Sequence, residues 1–233
     1  ENHTFLYQDI INKINLLKKF IGNLKNNVVI LIASNSVEFI FFYVFLLKSK
    51  AKIILVNEEI KESHLLNIKK KFKPNYIIKP KNLNLIKIKS LNKKEIFEYE
   101  IYKISTSLLI GINKEISILL STSGSTGSSK FVMLSSRNLK TNTIQISKYL
   151  KLNSSDRTIT TLPFSYSYGL SILNTHLFNG SALVVTKKSI IQKSFWEILL
   201  KNKINCLYGV PFIFEVLKKF LKKNYFDNFK FLA

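Results

Sequence analysis

The segment Ser121 to Lys130, STSGSTGSSK, constrains this chain more than any other stretch. It is a run of small hydroxyl and glycine residues ending in one lysine, placed directly after the apolar segment Ile116 to Leu120. The sequence ISILLS reads as a buried parallel strand. Gly124 and Gly127 let the backbone take positive φ and bring its N–H groups close to an anion, while Ser121, Thr122, Ser123, Ser125 and Thr126 add hydroxyl donors. A strand feeding such a loop predicts a phosphate cradle in an α/β fold. A flexible Ser/Gly linker is set aside, because linkers of that composition rarely sit between a buried strand and a helix.

Spacing removes the two commonest glycine-rich identities. A Walker A loop needs glycine just before its lysine and Ser or Thr just after it, whereas Ser129 precedes Lys130 and Phe131 follows. The dinucleotide pattern G-x-G-x-x-G also fails, since Thr126 stands two places after Gly124 and no acidic residue lies at the right distance to hold a ribose. What remains is a loop that holds the β- and γ-phosphates of a nucleotide without P-loop architecture.

The formal charge of +22 raises nucleic acid or an anionic membrane as partners. Yet of 36 basic residues only Arg137 and Arg157 are arginine, the residue that bidentate readout of phosphate and guanine favours. Abundant, evenly spread Lys, Asn and Ile are what an AT-rich coding sequence produces, so the lysines read as solvated faces and no nucleic-acid partner is expected. Cys206 is the only cysteine, which excludes an intramolecular disulfide and fits a cytoplasmic setting. His3, His64 and His176 lie far apart without neighbouring Cys or carboxylate ligands, and read as ordinary surface or core histidines. The apolar run Phe39 to Leu47 is too short for a membrane span, which needs about twenty residues, and Lys48, Lys50 and Lys52 close it off. No signal peptide opens the chain, and its start at Glu1 without methionine leads us to expect a natural N-terminus upstream.

With 233 residues the chain is long enough for one large α/β domain or two small ones. Apolar residues at helical spacing predict a helix over Phe5 to Leu24, and Val28 to Ala33 is a buried strand. A helix over Ser36 to Leu47, capped by Asn35 or Ser36, precedes a strand over Lys52 to Val56, a helix over 61–71 and a strand over Tyr76 to Ile78. Residues 79–115 read as short edge strands and loops. Beyond the loop we expect a short strand over Phe131 to Leu134, a helix over Ser135 to Leu150, strands at Arg157 to Thr161, Ser181 to Thr186 and Asn205 to Gly209, and helices over Phe195 to Lys201 and Pro211 to Leu221. The alternation predicts parallel-rich sheets flanked by helices, with a first α/β subdomain over 1–115 and a second, carrying the loop, over 116–233.

Three separated segments then share a likeness: the loop with the following SSRNL, LPFSYSYGLS (Leu162 to Ser171) read as a strand and turn, and YGVPFIFEVL (Tyr208 to Leu217). In that order they resemble the adenylate-forming (AMP-binding) superfamily of acyl-CoA synthetases, peptide-synthetase adenylation domains and luciferases. Ser34 to Asn57 is similar to that family's early helix and strand, so the likeness covers nearly the whole chain. It implies the N-terminal domain of an adenylate-forming enzyme, incomplete at its C-terminus.

The resemblance implies an AMP-forming acid-thiol ligase that uses ATP and Mg²⁺. A carboxylate attacks the α-phosphate of ATP, pyrophosphate leaves, and the acyl group passes to a thiol of CoA or of phosphopantetheine on an acyl carrier protein. Charge then gives the loop its role. The amides of Gly124 to Ser128, the hydroxyls of Thr122, Ser123, Ser125 and Thr126, and the Lys130 ammonium would stabilise the departing pyrophosphate, with Thr126 also beside the metal. Thr126 and Lys130 are the catalytic candidates. The family places Tyr166, Tyr168, Gly169, Gly209, Val210 and Pro211 beside a small carboxylic acid substrate, with Phe164 and Tyr208 nearby.

The chain departs from the family at three places. Phe131 stands for a glycine, Ser136 for a histidine, and Tyr166 where many acyl-CoA synthetases carry histidine. The family's threonine-glutamate pair for magnesium, its adenine-stacking aromatic, ribose aspartate, hinge and mobile lysine would lie beyond Ala233. The chain stops in FKFLA, which reads as a strand cut in mid-sheet, so we expect a fragment inactive alone. Two other readings stand beside this one: a non-catalytic nucleotide-binding or scaffolding remnant, and a basic nucleic-acid or membrane-surface binding protein.

Overall fold

The structure, a computed structural model, describes residues 3–83, 88–106, 113, 115–121, 130–220 and 229–233. Its contacts divide the chain into two units, Glu1–Leu139 and Lys140–Ala233.

The first unit opens with helix α1 (Tyr7–Ile21), whose start is held by the Leu6 N–H donating to the Asp9 carboxylate at 2.8 Å. Strand β1 (Val28–Ala33) is buried at every residue, as a continuous apolar run in a parallel sheet must be. Helix α2 (Val37–Lys48) takes Ser36 as its cap, the hydroxyl accepting the Phe39 N–H at 3.2 Å. Strand β2 (Lys52–Asn57), helix α3 (Glu62–Phe72) and strand β3 (Tyr76–Pro80) follow. Asn75, fully buried, lets its side-chain oxygen accept the Val28 N–H at 2.9 Å and its own N–H reach the Val28 carbonyl at 2.8 Å, which fixes where β1 begins. Strands β4 (Asn92–Ile96) and β5 (Tyr99–Lys103) form an antiparallel hairpin. Strand β6 (Ile116–Ser121) and strand β7 (Phe131–Ser135) flank the glycine loop.

Among the described residues these strands make one seven-stranded sheet in the order β4-β5-β3-β1-β2-β6-β7. The central strands β3, β1, β2 and β6 are parallel. The division between units falls after Leu139 and not at the 115/116 junction read from the sequence, because β6 pairs with β2 from Ile53↔Ile118 to Leu55↔Leu120 and so belongs to the first sheet.

Helix α4 (Ser136–Tyr149) leads into the second unit, where β8 (Arg157–Ile159), α5 (Ser167–Asn179), β9 (Ala182–Val184), α6 (Lys193–Lys201), β10 (Cys206–Leu207), α7 (Pro211–Phe220) and β11 (Phe231–Leu232) alternate. The sheet is parallel throughout, ordered β11-β10-β8-β9. Its starts are tied by side chains: Asn205 accepts the Arg157 N–H at 2.7 Å, and the buried Asp156 carboxylate takes Lys230 at 2.8 Å. Helix α5 corrects the reading of 162–171 as strand and turn. The alternating Phe164, Tyr166 and Tyr168 imitate a strand's period, but from Ser167 the buried positions Gly169, Ile172, Leu173 and His176 follow the helical i, i+3, i+4, i+7 spacing. Leu221, expected as the end of α7, lies outside the described residues. No helix among the described residues is long and apolar enough to cross a membrane.

The β4–β5 turn rests on Phe97 and Glu98, whose φ values are 52° and 57°. Two consecutive positive φ values are the requirement of a type I′ hairpin turn, normally met by Asn-Gly. Phe97 is held there by packing: its ring meets Phe41 edge-on at 5.6 Å and Lys13 lies 5.0 Å from its centroid. Glu98 is exposed, and its side chain makes a long ion pair to Lys81 at 3.7 Å, which contributes little. Glu98→Gly is therefore expected to raise unfolding stability by about 1 kcal/mol in chemical denaturation, as left-handed strain is relieved.

Candidate active site

Parallel strands place all their carboxyl ends on one edge of a sheet, and ligands of open α/β sheets bind there. In the first unit β6 runs alongside β2, so the glycine loop leaves the sheet at that edge. Ser121 pairs with Phe131, the pair of the β6–β7 ladder next to the segment 122–129. Thr122, Ser123, Gly124, Ser125, Thr126, Gly127 and Ser128 lie outside the described residues. Lys130 is exposed at the foot of β7.

The flanks explain two of the departures seen in the sequence. The Phe131 ring meets Phe72 at the end of α3 edge-on at 5.0 Å, so the residue that opens β7 is packed on a helix. The Ser136 hydroxyl is 2.6 Å from that of Ser117 on β6. Helix α4 starts with a reciprocal cap: the Ser135 hydroxyl accepts the Asn138 N–H at 3.1 Å, and the Asn138 side chain accepts the Ser135 N–H at 2.9 Å.

In the second unit the chain order defines a crevice. The connection through α5 carries β8 to β9 on one side, whereas α6 returns the chain past β8 to β10 and α7 continues to β11. With right-handed crossovers α5 and α7 cover opposite faces, so adjacent β8 and β10 form a topological switch point. Their carboxyl ends are joined by the Thr161 hydroxyl, which donates to the Tyr208 carbonyl at 2.6 Å. The Gly209 N–H donates to the Ala233 carbonyl at 2.6 Å, extending the β10–β11 register to the start of the turn.

The predicted substrate residues gather at this crevice, with unequal roles. Tyr168 meets the ring of Tyr208 edge-on, centroids 6.3 Å apart. Tyr166 precedes α5, half exposed, its N–H donating to the Pro163 carbonyl at 3.0 Å. Gly169 faces inward: a Cβ there would stand 2.2 Å from the Pro163 carbonyl oxygen, so its lack of a side chain lets α5 close on the segment after β8. Gly209 is needed for a similar reason, since a Cβ would meet the Ile213 Cγ2 at 2.8 Å. Val210 is partly buried and Pro211 opens α7. Phe164, at 1% exposure, fills the core.

Three residues that the sequence reading left without a role join this site: Thr161, Ser181 and His176. His176 is wholly buried, with Nε2 3.0 Å from the Tyr208 hydroxyl and Nδ1 2.7 Å from the Ser181 hydroxyl. Its place on the inward face of α5 is the signal that identifies it once the helix is recognised. Burial lowers its pKa to about 4, an effect reinforced by Lys230 and opposed by Asp156. Burial likewise pushes the Cys206 thiol up to about 12, which leaves it no nucleophilic thiolate. Among the described residues no group of three or more His, Cys, Asp or Glu is placed to hold a metal.

The family described as AMP-binding enzyme matches residues 14–231 of the chain. Oxalate--CoA ligase of Saccharomyces cerevisiae is 28% identical over 120 residues, 52% of this chain and 22% of that protein. Acyl-CoA ligase cm3C of Cordyceps militaris is 30% identical over 106 residues, 44% of this chain and 16% of that protein. The fold matches O-succinylbenzoate coenzyme A synthetase (MenE) of Bacillus subtilis in complex with AMP, with a TM-score of 0.75 at 14% identity over 100% of this chain and 61% of that one. It matches the same synthetase in complex with ATP and magnesium ion with a TM-score of 0.74 at 14% identity, over 97% of this chain and 62% of that one. The chain thus accounts for about three fifths of the synthetase's length, and its matched segments for less than a quarter of either curated ligase.

Two outcomes follow from this geometry. Gly169→Ala is expected to destabilise the second unit by about 3 kcal/mol in chemical denaturation, because the opposing atom is backbone and has nowhere to move. His176, with its pKa lowered by burial from 6.5 to about 4, contributes stability that is complete above pH 6.5 and is lost as pH falls toward 4. The loss approaches about 3 kcal/mol, and unfolding curves across that range should become flatter by that amount in His176→Gln.

Proposed function

The chain belongs to the AMP-binding enzymes, and from that premise we propose that its protein activates a carboxylic acid as an acyl-adenylate and passes the acyl group to a thiol. The observation that carries this reading is the hydroxyl-, glycine- and lysine-bearing segment, whose stem pair Ser121–Phe131 sets it at the carboxyl edge of a parallel sheet. Two of the similar proteins are named as CoA ligases, and the Bacillus subtilis synthetase is seen with AMP and with ATP and magnesium ion.

A carboxylate oxygen bonds to the α-phosphorus of ATP while the bond from that phosphorus to the β-bridging oxygen breaks, and pyrophosphate leaves with the electron pair. Negative charge grows on the β- and γ-phosphates. The Gly124 to Ser128 amides, the hydroxyls of Thr122, Ser123, Ser125 and Thr126, and the Lys130 ammonium are suited to that charge because each is a donor or a cation. A magnesium ion takes hard oxygen ligands, and the Thr126 hydroxyl is of that type. When bound with ATP, it would neutralise phosphate charge. The protein's share is positioning and electrostatics.

On this reading Tyr166, Tyr168 and the Gly209–Val210–Pro211 turn flank the acyl group, and Gly169 acts by letting α5 approach. Val210 and the aromatic rings give the wall an apolar character. In the second step a thiol sulfur attacks the acyl carbon and AMP leaves. CoA and carrier-bound phosphopantetheine present the same thiol, and an excess of lysine suits the phosphates of one and an acidic carrier of the other.

The test is ATP–pyrophosphate exchange by the full-length protein across a panel of short-chain, long-chain and aryl carboxylic acids. Exchange dependent on one acid class is expected, and Lys130→Ala should lower its rate roughly 10²–10³-fold, comparable to losing one oxyanion donor. Absence of exchange with every acid, together with retained ATP binding, would make the protein a non-catalytic nucleotide binder.

A further inference from the structure

The buried imidazole of His176 is joined on both sides. On one, the Ser181 hydroxyl lies 2.7 Å from Nδ1 and also 3.1 Å from the backbone carbonyl of His176. On the other, the Tyr208 hydroxyl lies 3.0 Å from Nε2, with the two rings edge-on at 5.6 Å. One arrangement of protons gives every donor in this chain an acceptor. The Ser181 hydroxyl donates to the His176 carbonyl, Nδ1–H donates to the Ser181 oxygen, and Nε2 accepts the Tyr208 proton. The other neutral tautomer makes Nε2 the donor and leaves the Tyr208 proton without an acceptor among these contacts.

Tyr208 is the last residue before the Gly209–Pro211 turn. Its ring is enclosed by Tyr168 at 6.3 Å, His176 at 5.6 Å and Phe231 at 5.3 Å, and its carbonyl takes the Thr161 hydroxyl at 2.6 Å. Both ends of this residue are therefore fixed, the backbone by the end of β8 and the side chain by α5. A hydroxyl sunk this far into an apolar core needs a partner, because an unsatisfied one is costly. Tyr168, whose ring also meets that of Tyr208 edge-on, is itself one of the residues set beside the acyl group.

We propose that His176 is a positioning residue of the acyl site: through Ser181 it is held as one neutral tautomer, and through the Tyr208 hydroxyl it sets the Gly209–Pro211 turn and the Tyr168 ring as one rigid wall of the β8–β10 crevice. The role in acyl binding rests on the adenylation reading given above. The clamp on the turn is a property of the fold and stands apart from it. Neutrality matters, since an imidazolium would present N–H to both neighbours and the Tyr208 proton would lose its acceptor. Burial opposes that charged form, as does Lys230, whereas Asp156 favours it; the hydroxyls of Tyr208 and Ser181 lie within hydrogen-bond distance of its two ring nitrogens.

Three variants of the full-length protein test this: Tyr208→Phe removes the hydroxyl and keeps the ring, His176→Leu removes the acceptor, and His176→Gln keeps one. In the exchange assay the first two should raise KM for the carboxylic acid about tenfold, the equivalent of one buried hydrogen bond, with KM for ATP unchanged. His176→Gln should stay within about twofold of the parent, since it restores the acceptor. Parallel shifts in both KM values, or equal damage from His176→Gln and His176→Leu, would overturn the proposal. Amide hydrogen exchange supplies a readout that needs no activity. Faster exchange confined to residues 207–213 in Tyr208→Phe and His176→Leu supports the clamp, while no change there, or change spread through the whole chain, overturns it. A parent protein without any pyrophosphate exchange sinks the adenylation reading, and the hydrogen-exchange comparison still decides whether His176 holds the turn.

Discussion

Parallel pairing of strands buried on both faces is the constraint on which the rest depends. Strand β1 lies between β2 and β3 with every residue buried, and β2 carries β6 on its other side. A parallel pair cannot be joined by a tight turn, so each strand must be followed by a crossover, here α2, α3, α5, α6 and α7. The carboxyl ends of the parallel strands then fall on one edge of each sheet, and the segments that leave them are the ones free to vary in composition. The glycine loop after β6 and the turns after β8 and β10 are such segments. Their chemistry differs, but each is where it is because the strand beneath it is short and runs parallel to its neighbour.

This is why so much of the framework can be read from the sequence. VVILIA and, after Lys52, IILV are continuous apolar runs, and a strand covered on both faces must be continuous, so their identity as buried strands is legible in the sequence. Helix α2 is nearly all apolar, and its start is fixed by one hydroxyl, Ser36. The boundary between units was harder. Only pairing decides whether β6 completes the first sheet or opens the second, and pairing with β2, more than sixty residues earlier, leaves no local trace. Helix α5 was hidden for another reason. Three aromatics at alternate positions just before and at its start follow a strand's period, while the helical period shows only from Gly169 onward, with a glycine and a histidine on the buried face where apolar residues are expected.

The candidate site divides along the same line. The loop's donors are consecutive in sequence, so its chemistry is written in ten adjacent residues. The crevice at β8 and β10 is assembled from Thr161, Tyr168, His176 and Tyr208, which are brought together by a reversal in the order of strands. The resemblance sets Gly169 and Gly209 beside the substrate, and each also stands at a close approach within the protein, to Pro163 and to Ile213. A glycine beside a pocket can therefore shape it from behind, by fixing how near a helix comes, without touching what binds.

Phe131 and Ser136 carry this reasoning one step further. Both form contacts inside the first unit: Phe131 with Phe72, and Ser136 with Ser117. A glycine at the loop's exit leaves the backbone free, whereas a phenylalanine packed on a helix removes that freedom before any ligand arrives. The hairpin stem Ser121–Phe131 and the Phe72 contact act on the same residue, one through the backbone and one through the side chain. Substitution at such a position thus changes how firmly the strand that follows the glycine-bearing segment is anchored, and only the fold reveals that difference.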